Sequence, residues 1–524
     1  MTRDVDVVAA TIATVVGVAG AAITKLAFAW WNPDPSRLHM PAPELPWIGA
    51  IVGHFPELFG AREQGNAMVR HFAEARARGK QGCLVTIMGN QWIVPINPRD
   101  IEHVMLRRDC RYIKPTLYER VSVLVGEKGL AAIRDESVHT VHRRAMNAAF
   151  SEAALRDTFD QTVTQCVAQF GKQLAEQLRA GGSSPDAAVS PSRLLDLAPA
   201  FDELTLSVVA EAAFRETNVG GFNVAEQFTT MVEAFSRAQY ILVPGGTLLP
   251  TVDIQKCKKA RDRVRTIAAA MFTRARNSLV LCDSAPDTAG VDSAPRRPNR
   301  KLIVDFMAEA GLDASSVEDH CLTMLLAGHE TTSVTLQWTT YLLATHQDWQ
   351  QQLFEEVNAA VHETGVPSLE TVRGLTLLRN VIRESMRLFP ASSFLNRLSI
   401  EDDVLPHSGI FVPKGTEIAM YIFALHRDPA VWGADAHEFN PNRWLDTDRI
   451  DNVVGPGGYL PFSLGKRNCI GKEFALNELL ATLAVFVRRF HVAWPDGQRH
   501  PVRRTRLALA PTEPIKLLVS CRQR

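Results

Sequence analysis

The sequence has no excess of charge of either sign and no paired cysteine motif. Its 524 residues carry 57 lysines and arginines against 57 aspartates and glutamates, so no global field favours nucleic acid or another polyanion as a partner. The eight cysteines are scattered without a CxxC pair. That spacing argues against a zinc site and against a disulfide framework, and it suits a reducing compartment. A glycine-rich motif for a flavin or a nicotinamide is also lacking.

The N-terminal segment differs in character from the rest of the chain. Val7–Thr24 is an uncharged run rich in valine, isoleucine and alanine, and the apolar character continues to Trp30 and Trp31. Such a run is long enough to span a bilayer, with the tryptophans at its interface. We therefore expect a transmembrane anchor at 1–31, followed by a stiff, proline-rich hinge at 32–47.

The charges that flank this run predict its orientation. Lys25 and Arg37 lie downstream, whereas upstream Arg3 is outnumbered by Asp4 and Asp6. The positive-inside rule then predicts that the rest of the chain faces the cytosol. A cleaved signal peptide is the alternative, because small residues near the end of the run offer a cleavage site. The acidic start and the length of the run argue against that alternative.

Residues 48–524 are predicted to form one domain, mainly α-helical with small β-sheet regions. Apolar residues recur at helix spacing over most of this length, and short runs predict strands. The stretches at 181–191 and 282–300 have the composition of exposed connectors inside that domain. The predicted helices are 67–78, 152–178, 194–214, 224–238, 303–345 and 472–486, and the predicted strands are 83–88, 91–95 and 409–412.

One stretch near the C-terminus carries a cysteine in unusual surroundings. Phe462–Gly471 holds Cys469 in a glycine-containing turn with a basic residue two positions before it, and a helix is predicted to begin at Lys472. Free N–H groups and the helix dipole at that position favour a thiolate over a thiol. Haem iron is one metal that a thiolate ligates. A buried cysteine in an ordinary loop is the alternative that this stretch alone leaves open.

A second stretch interrupts the apolar helix predicted at 303–345. Ala327–Thr332 places Gly328, Glu330 and Thr331 in the middle of that helix. Burying such residues costs stability, and a conflict of this kind marks a functional site. The glycine lets a flat ligand approach the backbone, and a carboxylate beside a hydroxyl suits proton transfer into a dry pocket. An exposed polar patch on a surface helix is the alternative.

Two further segments bring charged residues that are able to pair. Glu384 and Arg387 lie on one face of a helix that Pro390 ends. Arg443 lies in Phe439–Trp444, and in a buried position it would join the other two residues in a three-residue ion network.

In this order and spacing, the four stretches resemble the cytochrome P-450 family of haem-thiolate monooxygenases. Phe462–Gly471 fits the pattern FxxGxRxCxG at every specified position, and Ala327–Thr332 fits AGx(D/E)TT. Glu384 and Arg387 fit ExxR, and Phe439–Trp444 fits FxPxRW. The resemblance covers nearly the whole chain. It implies the family's fold, in which haem lies between the central long helix and the cysteine loop.

The resemblance implies a set of residues that hold haem b. Cys469 is implied as the axial ligand, and Phe462 as a neighbour of the sulfur that tunes the iron potential. His139 stands where members usually carry tryptophan, but it still offers an N–H donor. Ala327 stands where one subgroup carries a glutamate esterified to haem, so noncovalent haem is expected. The full set is Cys469, Phe462 and Gly465 in the loop, with Arg467, His139, Arg143 and Arg397 as propionate partners.

The same resemblance implies roles on the substrate side of haem. Thr331 is implied to position water and dioxygen, and Glu330 to relay protons. Glu384, Arg387 and Arg443 are implied to be structural. The segments expected to line the substrate pocket are 118–124, 222–249, Leu325 with Ala327, and 393–395.

The implied activity is NADPH-dependent insertion of one oxygen atom of O2 into a lipophilic substrate, such as a fatty acid, sterol, terpenoid or xenobiotic. Since the chain lacks motifs for its own flavin or nicotinamide, its electrons come from a partner. Resemblance to microsomal members implies a diflavin reductase and the endoplasmic reticulum membrane. Lys466 and Lys472 are candidate docking residues, and so is the basic segment 256–265, although a solvated helix face also explains that segment.

Two alternative functions remain at this point. A haem-thiolate isomerase or dehydratase that needs no reductase is one, and the presence of Thr331 argues against it. A non-catalytic haem-binding membrane protein is the other, and the paired Glu330 and Thr331 argue against it, because a sensor or scaffold has no use for a proton relay.

Overall fold

The structure is a computed structural model. The anchor expected at 1–31 lies outside the residues that it describes, and so does the hinge at 32–47 apart from one two-residue strand. Among the helices of the described ranges, none combines the length and the apolar character that a membrane span requires. The described ranges are 38–39, 66–87, 90–180, 192–214, 218–219, 222–223, 227–228, 230–231, 251–283, 301–361, 365–505 and 508–522.

Helices make up most of the described chain, which confirms the mainly helical fold class. They are α1 (Asn66–Ala77), α2 (Pro98–Glu102), α3 (Leu117–Val125), α4 (Glu136–Asn147), α5 (Glu152–Thr158), α6 (Thr164–Arg179), α7 (Ala198–Phe214), α8 (Val252–Asp283), α9 (Ile303–Glu309), α10 (Ala314–Thr345), α11 (Gln347–Ala360), α12 (Leu369–Gly374), α13 (Thr376–Leu388), α14 (Ile422–Leu425), α15 (Pro429–Trp432), α16 (Thr447–Arg449), α17 (Gly455–Gly458) and α18 (Lys472–Arg489). Turns of 3-10 or π geometry join several of them, at His103–Arg107, Asp109–Arg111, Ala148–Phe150, Phe159–Val163, Pro441–Leu445, Ile450–Val454 and Gly465–Arg467.

The strands form small sheets around the helices, again as expected. They are β1 (Leu38–His39), β2 (Gly82–Ile87), β3 (Asn90–Pro95), β4 (Tyr112–Ile113), β5 (Arg193–Asp196), β6 (Asn218–Val219), β7 (Phe222–Asn223), β8 (Leu395–Ser399), β9 (Asp403–Val404), β10 (Phe411–Val412), β11 (Glu417–Met420), β12 (Phe490–Ala493), β13 (Arg503–Thr505), β14 (Leu509–Pro511) and β15 (Lys516–Cys521). The largest sheet has the order β1-β2-β3-β11-β8-β4, and a second has the order β12-β15-β5. The β3–β11 pairing is parallel and the β11–β8 pairing antiparallel.

The single helix predicted at 303–345 is in fact two helices, α9 and α10. Gly311 has a φ of +73°, a conformation that glycine adopts without strain and that ends a helix. Asp313 then caps α10 by accepting a hydrogen bond from the Ser316 N–H. The break was missed because apolar periodicity continues across it.

The helix predicted at 194–214 begins later than expected. Residues 193–196 form β5, which pairs antiparallel with β15. The Asp196 carboxylate accepts a hydrogen bond from the Ala198 N–H, and Pro199 lies in the first turn of α7. Capping and proline therefore set the start of the helix. Of the helix predicted at 224–238, residues 227–228 and 230–231 are helical and the remainder lies outside the described ranges.

The long helix α10 lies at the centre of the fold. It packs against α7, α8, α13 and α18. Trp338 of α10 stacks on Phe389, with ring centroids 4.1 Å apart. A Cβ placed on Gly328 would lie 3.0 Å from Cγ2 of Val209 in α7. The glycine expected to admit a flat ligand therefore also permits the close approach of α7 to α10.

The cysteine stretch leads directly into α18, as predicted. That helix extends to Arg489, slightly beyond the predicted end, and packs against α6, α11, α12 and α13. Its middle is almost wholly buried. The cysteine loop is thus attached at its C-terminal end to one of the most enclosed helices of the described chain.

Candidate active site

A cavity of about 310 Å³ lies between α10 and the cysteine loop. Ala327 and Thr331 of α10 contribute to its wall, and so do Phe462, Arg467 and Cys469 of the loop. This volume is at the lower end of the range for small-molecule sites, roughly 300–1,000 Å³. The structure therefore brings the two stretches that the sequence singled out onto one cavity.

The lining residues of α10 follow the helical repeat. They recur every three or four positions, as one face of a helix requires. Leu325 was expected to line the pocket but is wholly buried in the core, because it lies on a different face of the helix. The lining set from α10 is Thr323, Met324, Ala327, Gly328, Thr331, Thr332 and Thr335.

The other segments expected at the pocket have mixed outcomes. Leu395 lines the cavity, but it does so beside Ala391 and Ser392 instead of residues 393–394. Leu130 contributes from the α3–α4 connection, in place of the expected segment 118–124. Most of 222–249 lies outside the described residues.

Cys469 is fixed by main-chain hydrogen bonds. Its N–H donates to the carbonyl of Phe462 at 2.9 Å, which closes the loop. Its sulfur accepts a hydrogen bond from the N–H of Gly471, the residue that precedes α18. The accessible surface of Cys469 belongs to the cavity, and protein encloses the residue on its other sides.

The protein atoms around Cys469 do not by themselves favour a thiolate. Burial raises the pKa of the Cys469 thiol, while the Gly471 N–H and the charges of Arg143 and Lys472 act in the opposite direction with smaller effect. The helix-terminus effect expected from the sequence is present, but burial exceeds it. Metal ligation at the sulfur would favour the thiolate against this effect of burial.

The turn before Cys469 depends on Gly465. This residue has a φ of +74°, and a Cβ on it would lie 2.0 Å from the carbonyl oxygen of Met105. Gly471 differs, because its φ is −86° and the atom nearest to an added Cβ is 3.9 Å away. Of the two loop glycines, only Gly465 is required by the packing.

Arg467 and Phe462 both reach the cavity wall from the loop. The Arg467 guanidinium donates to the Glu136 carboxylate at 2.7 Å and to the Ile133 carbonyl at 2.7 Å. These bonds tie the loop to the start of α4. Phe462 is half-buried and packs against the largest hydrophobic cluster.

Basic side chains gather beside the cavity. Lys114 and Arg397 are both buried, and the pKa of each is lowered, first by burial and further by Arg467. Glu136 is the carboxylate that opposes this effect at both residues. This basic cluster comprises Lys114, His139, Arg143, Arg397 and Arg467.

The predicted propionate partners occupy different places in the basic cluster. His139 is buried, and burial together with Arg467 lowers its pKa to about 3, so the ring is neutral at physiological pH and keeps one N–H. Arg143 donates to the carbonyl and to the side-chain oxygen of Asn468, at 2.6 and 2.8 Å. Arg397 donates to the Asn396 carbonyl at 2.9 Å. Among these residues only Arg467 forms part of the cavity wall.

Lys114 is a member of the basic cluster that sequence reasoning missed. Its Nζ donates to the carbonyl of Ala131 at 2.7 Å and lies 5.0 Å from the centre of the Tyr118 ring. The residue lies far from every motif in the sequence, and no spacing pattern includes it. The sequence offered one indication of this residue, which is that Lys114 lies between Ile113 and Pro115, directly after strand β4.

Glu330 and Thr331 face different surroundings. The Thr331 hydroxyl donates to the Ala327 carbonyl at 2.7 Å, and its side chain opens to the cavity. The Glu330 carboxylate accepts from the Ala508 N–H at 3.3 Å and does not line the cavity. The Glu330 carboxylate and the Thr331 hydroxyl therefore have different hydrogen-bond partners, and only Thr331 contributes to the cavity wall.

The structure brings Glu384, Arg387 and Arg443 into contact. The Glu384 carboxylate accepts from Arg387 at 2.8 and 2.9 Å and from Arg443 at 3.3 Å. The Trp444 ring N–H donates to Oε2 of Glu384 at 3.1 Å. Arg443 also pairs with Asp435 at 2.8 Å. The Glu384 and Arg387 side chains are fully buried, so a complete set of partners is necessary.

These residues suit the haem that the sequence resemblance implies. The sulfur of Cys469 opens to the cavity, where a metal ion would offset the free-energy cost of burying a thiolate. The basic cluster holds more cations than carboxylates, which suits the two propionates of haem.

Comparisons with known proteins point in the same direction. The cytochrome P-450 family profile matches residues 42–519. Cytochrome P-450 734A5 of Oryza sativa subsp. japonica is 30% identical over 416 residues, 78% of this chain and 74% of that protein. A cytokinin hydroxylase of Arabidopsis thaliana is 29% identical over 378 residues, 71% of this chain and 68% of that protein. Echinocystic acid 23-monooxygenase of Saponaria officinalis is 28% identical over 363 residues, 67% and 65% of the two chains.

Gly465→Ala is expected to destabilise the loop by at least about 2 kcal/mol, because of the left-handed φ and the contact with the Met105 carbonyl. Gly374→Ala, at the end of α12 and outside the cavity wall, serves as the control, because its φ is not left-handed and an added Cβ meets nothing within 4 Å. The ratio of haem to purified protein should fall for the first variant and stay unchanged for the second. Equal haem content in both variants would contradict this account of the turn.

Lys114→Met tests whether the buried lysine belongs to the haem site. Loss of a charge-assisted hydrogen bond of about 1.5–3 kcal/mol should weaken haem retention by roughly ten- to a hundredfold. The measurement is the rate at which haem passes to an excess of a haem-scavenging protein. Lys128→Met, at an exposed lysine paired with Asp313, is the control. If both variants release haem at the wild-type rate, Lys114 has no part in holding it.

Proposed function

We propose residue roles, a substrate class and a redox partner for this chain, which belongs to the cytochrome P-450 family. The protein is a haem monooxygenase, and members of its family bind haem through a cysteine thiolate. The observation that carries the proposal is that Cys469 and Thr331 open onto one cavity. The domain at 48–524 would then contain the whole site.

The loop and the basic cluster are proposed to hold haem b. Cys469 would ligate the haem iron through its sulfur, Gly465 shapes the loop, and Phe462 would lie near that sulfur. The absence of a carboxylate at Ala327 supports noncovalent binding. Glu384, Arg387 and Arg443 keep the adjoining chain in place. The propionate partners are Arg467, Arg397, Arg143 and His139, with Lys114 added from the geometry.

Thr331 and Glu330 are proposed to handle protons. When bound, haem supplies the activation of dioxygen and the transfer of one oxygen atom to the substrate. The Thr331 hydroxyl gives its hydrogen to the Ala327 carbonyl, so its lone pairs are available to accept a hydrogen bond from water in the cavity. Glu330, held at the Ala508 N–H, is placed to pass protons to that water from outside the cavity.

The substrate is proposed to be lipophilic. Apolar side chains dominate the cavity wall, including Leu130, Ile303, Met324 and Ile422. Six hydroxyl side chains also line the wall, but the described lining residues include no carboxylate, and Arg467 belongs to the basic cluster. Fatty acids, sterols, terpenoids and xenobiotics all have this character. Substrate-binding difference spectra across such a panel would identify the class, and binding limited to small polar molecules would exclude it.

The redox partner is proposed to be an NADPH-dependent diflavin reductase in the endoplasmic reticulum membrane. The apolar run Val7–Thr24 supports an anchor that brings both proteins to one surface, with the domain facing the cytosol. Lys466 and Lys472 are both exposed beside the cysteine loop. Such lysines suit the acidic surface of a flavoprotein, since opposite charges speed and orient encounter.

Thr331→Ala should separate oxygen chemistry from other haem-thiolate reactions. In a monooxygenase, we expect the product formed per NADPH to fall at least about tenfold while hydrogen peroxide rises, because the hydroxyl no longer orders water. NADPH consumption, product and peroxide are measured together. The reduced carbon monoxide spectrum should stay red-shifted, which shows that thiolate ligation is intact.

Thr335→Ala is the matched control for this substitution. Thr335 lines the same cavity one turn further along α10, and its hydroxyl makes the same type of bond, to the Thr331 carbonyl at 2.8 Å. Coupling should be close to wild type in this variant. An isomerase or dehydratase would be indifferent to both changes and would turn over without NADPH, which would refute the proposed monooxygenase role of Thr331.

Charge reversal at Lys466 and Lys472 tests the docking surface. The double Glu variant should be reduced about tenfold more slowly by a diflavin reductase at low salt, with an unchanged haem spectrum, since the attraction that guides docking is lost. Stopped-flow reduction measures the rate. Lys172→Glu with Lys414→Glu, at two exposed lysines outside the cysteine loop and outside segment 256–265, is the control. Equal rates for the wild type and the loop variant would remove these lysines from the interface.

A further inference from the structure

His426 lies between the Glu384–Arg387 ion pair and the cysteine loop. It follows α14 directly and its side chain has no solvent-exposed surface. One ring nitrogen, Nδ1, lies 3.2 Å from the carbonyl oxygen of Arg387. The other, Nε2, lies 2.9 Å from the backbone nitrogen of Leu460, two residues before Phe462. Both ring nitrogens are therefore used, one on each side.

The partners determine the tautomer of His426. The Leu460 N–H is a donor, so Nε2 accepts, and Nδ1 carries the hydrogen and donates to the Arg387 carbonyl. The ring is neutral, because burial and the nearby Arg387 charge lower the pKa of His426 to about 3. A neutral imidazole has one donor and one acceptor, and here each has a partner.

Both neighbours of His426 are themselves fixed. The guanidinium of Arg387 pairs with Glu384 and also donates to the His426 carbonyl at 2.7 Å. The Leu460 carbonyl accepts from the Ser463 N–H at 3.1 Å, in the left-handed turn where Ser463 has a φ of 61°. A rigid ion pair on one side and a strained turn on the other are thus joined by one ring.

We propose that His426 is a positioning residue for the thiolate ligand. Its Nε2 holds the Leu460 N–H, and this contact sets where the loop leaves the Glu384–Arg387 pair and enters the turn that ends at Cys469. Packing alone is a weaker explanation, because an apolar ring of the same size would fill the space but leave the Leu460 N–H buried without an acceptor. The hydrogen bond from the Leu460 N–H positions the loop that carries Cys469. The hydrogen bond to the Arg387 carbonyl orients the imidazole ring.

Two polar substitutions separate the two contacts. The side-chain oxygen of His426→Gln reaches the position of Nε2 and can accept from Leu460, whereas the amide of His426→Asn reaches only the position of Nδ1. His426→Leu provides neither group. The readout is the red-shifted Soret band of the reduced carbon monoxide complex, together with the rate at which it converts to the unshifted form under mild denaturant.

We expect the band to convert roughly tenfold faster in the Leu and Asn variants than in the wild type, and at close to the wild-type rate in the Gln variant. Gln350→Leu is the control for general loss of stability. Gln350 is equally buried and also accepts from one backbone N–H and donates to backbone carbonyls, but at Val492 and Leu343, away from the loop. It should lower resistance to urea without a selective loss of the red-shifted band.

Three results would overturn the proposal. The first is that the red-shifted band converts no faster in His426→Leu than in Gln350→Leu, when the two variants are compared at equal free energy of unfolding. The second is equal behaviour of the Gln and Asn variants. The third is a Gln variant that loses the band as fast as the Leu variant does. If the Leu variant does not fold, the comparison of Gln with Asn still decides, because the Gln variant keeps the Leu460 contact whereas the Asn variant keeps only the Arg387 contact.

Discussion

The buried carboxylate of Glu384 is the charge on which the surroundings of the cysteine loop depend. Its two oxygens accept from Arg387, Arg443, Trp444 and the Asn440 N–H, all in a part of the protein closed to water. Removing one partner of such a pair typically costs about 3–5 kcal/mol, since the other charge stays buried. An ion pair of this kind contributes little net stability over apolar packing, but it permits a single arrangement of its partners. The segment from α14 to the loop is arranged around that carboxylate.

This segment needs such support because it contains little regular structure. Between α14 and α18 the chain forms short helical turns, one continuous helical run at Thr447–Gly458 and irregular backbone, with no strand in this described part of the chain. Arg387 compensates by donating to the carbonyls of His426, Ala436 and Glu438. Buried carbonyls require partners, and a guanidinium with five N–H groups can serve several at once. An arginine side chain thus takes the place that a strand or helix ladder fills elsewhere.

The sequence was most informative where one residue type is required by local physics. The cysteine loop, the polar stretch in α10 and the helical class all follow from spacing and periodicity, and the structure has them. The break at Gly311 and the strand at 193–196 were missed, because capping and pairing with a distant strand decide them and apolar periodicity does not. Lys114 was missed for a similar reason, since its meaning comes from residues that lie near it only in the folded chain. The position of Glu330, which bonds to Ala508 instead of facing the cavity, also depends on a distant segment.

The cavity combines two arrangements that are unfavourable in the protein alone. Cys469 sits where burial raises the pKa of its thiol, although the N–H of Gly471 and nearby cations oppose that effect. Lys114 and Arg397 are buried beside Arg467, and burial together with the charge of Arg467 lowers the pKa of both. A positive charge beside the Cys469 sulfur would stabilise the thiolate. A negative charge among the side chains of the basic cluster would reduce the repulsion between them. Haem carries both, iron at its centre and two propionates at its edge, so one haem held as proposed would relieve both costs. The buried Cys469 and the buried basic cluster are each unfavourable in the protein without haem, and this cost marks the site. The charge distribution of haem accounts for both features.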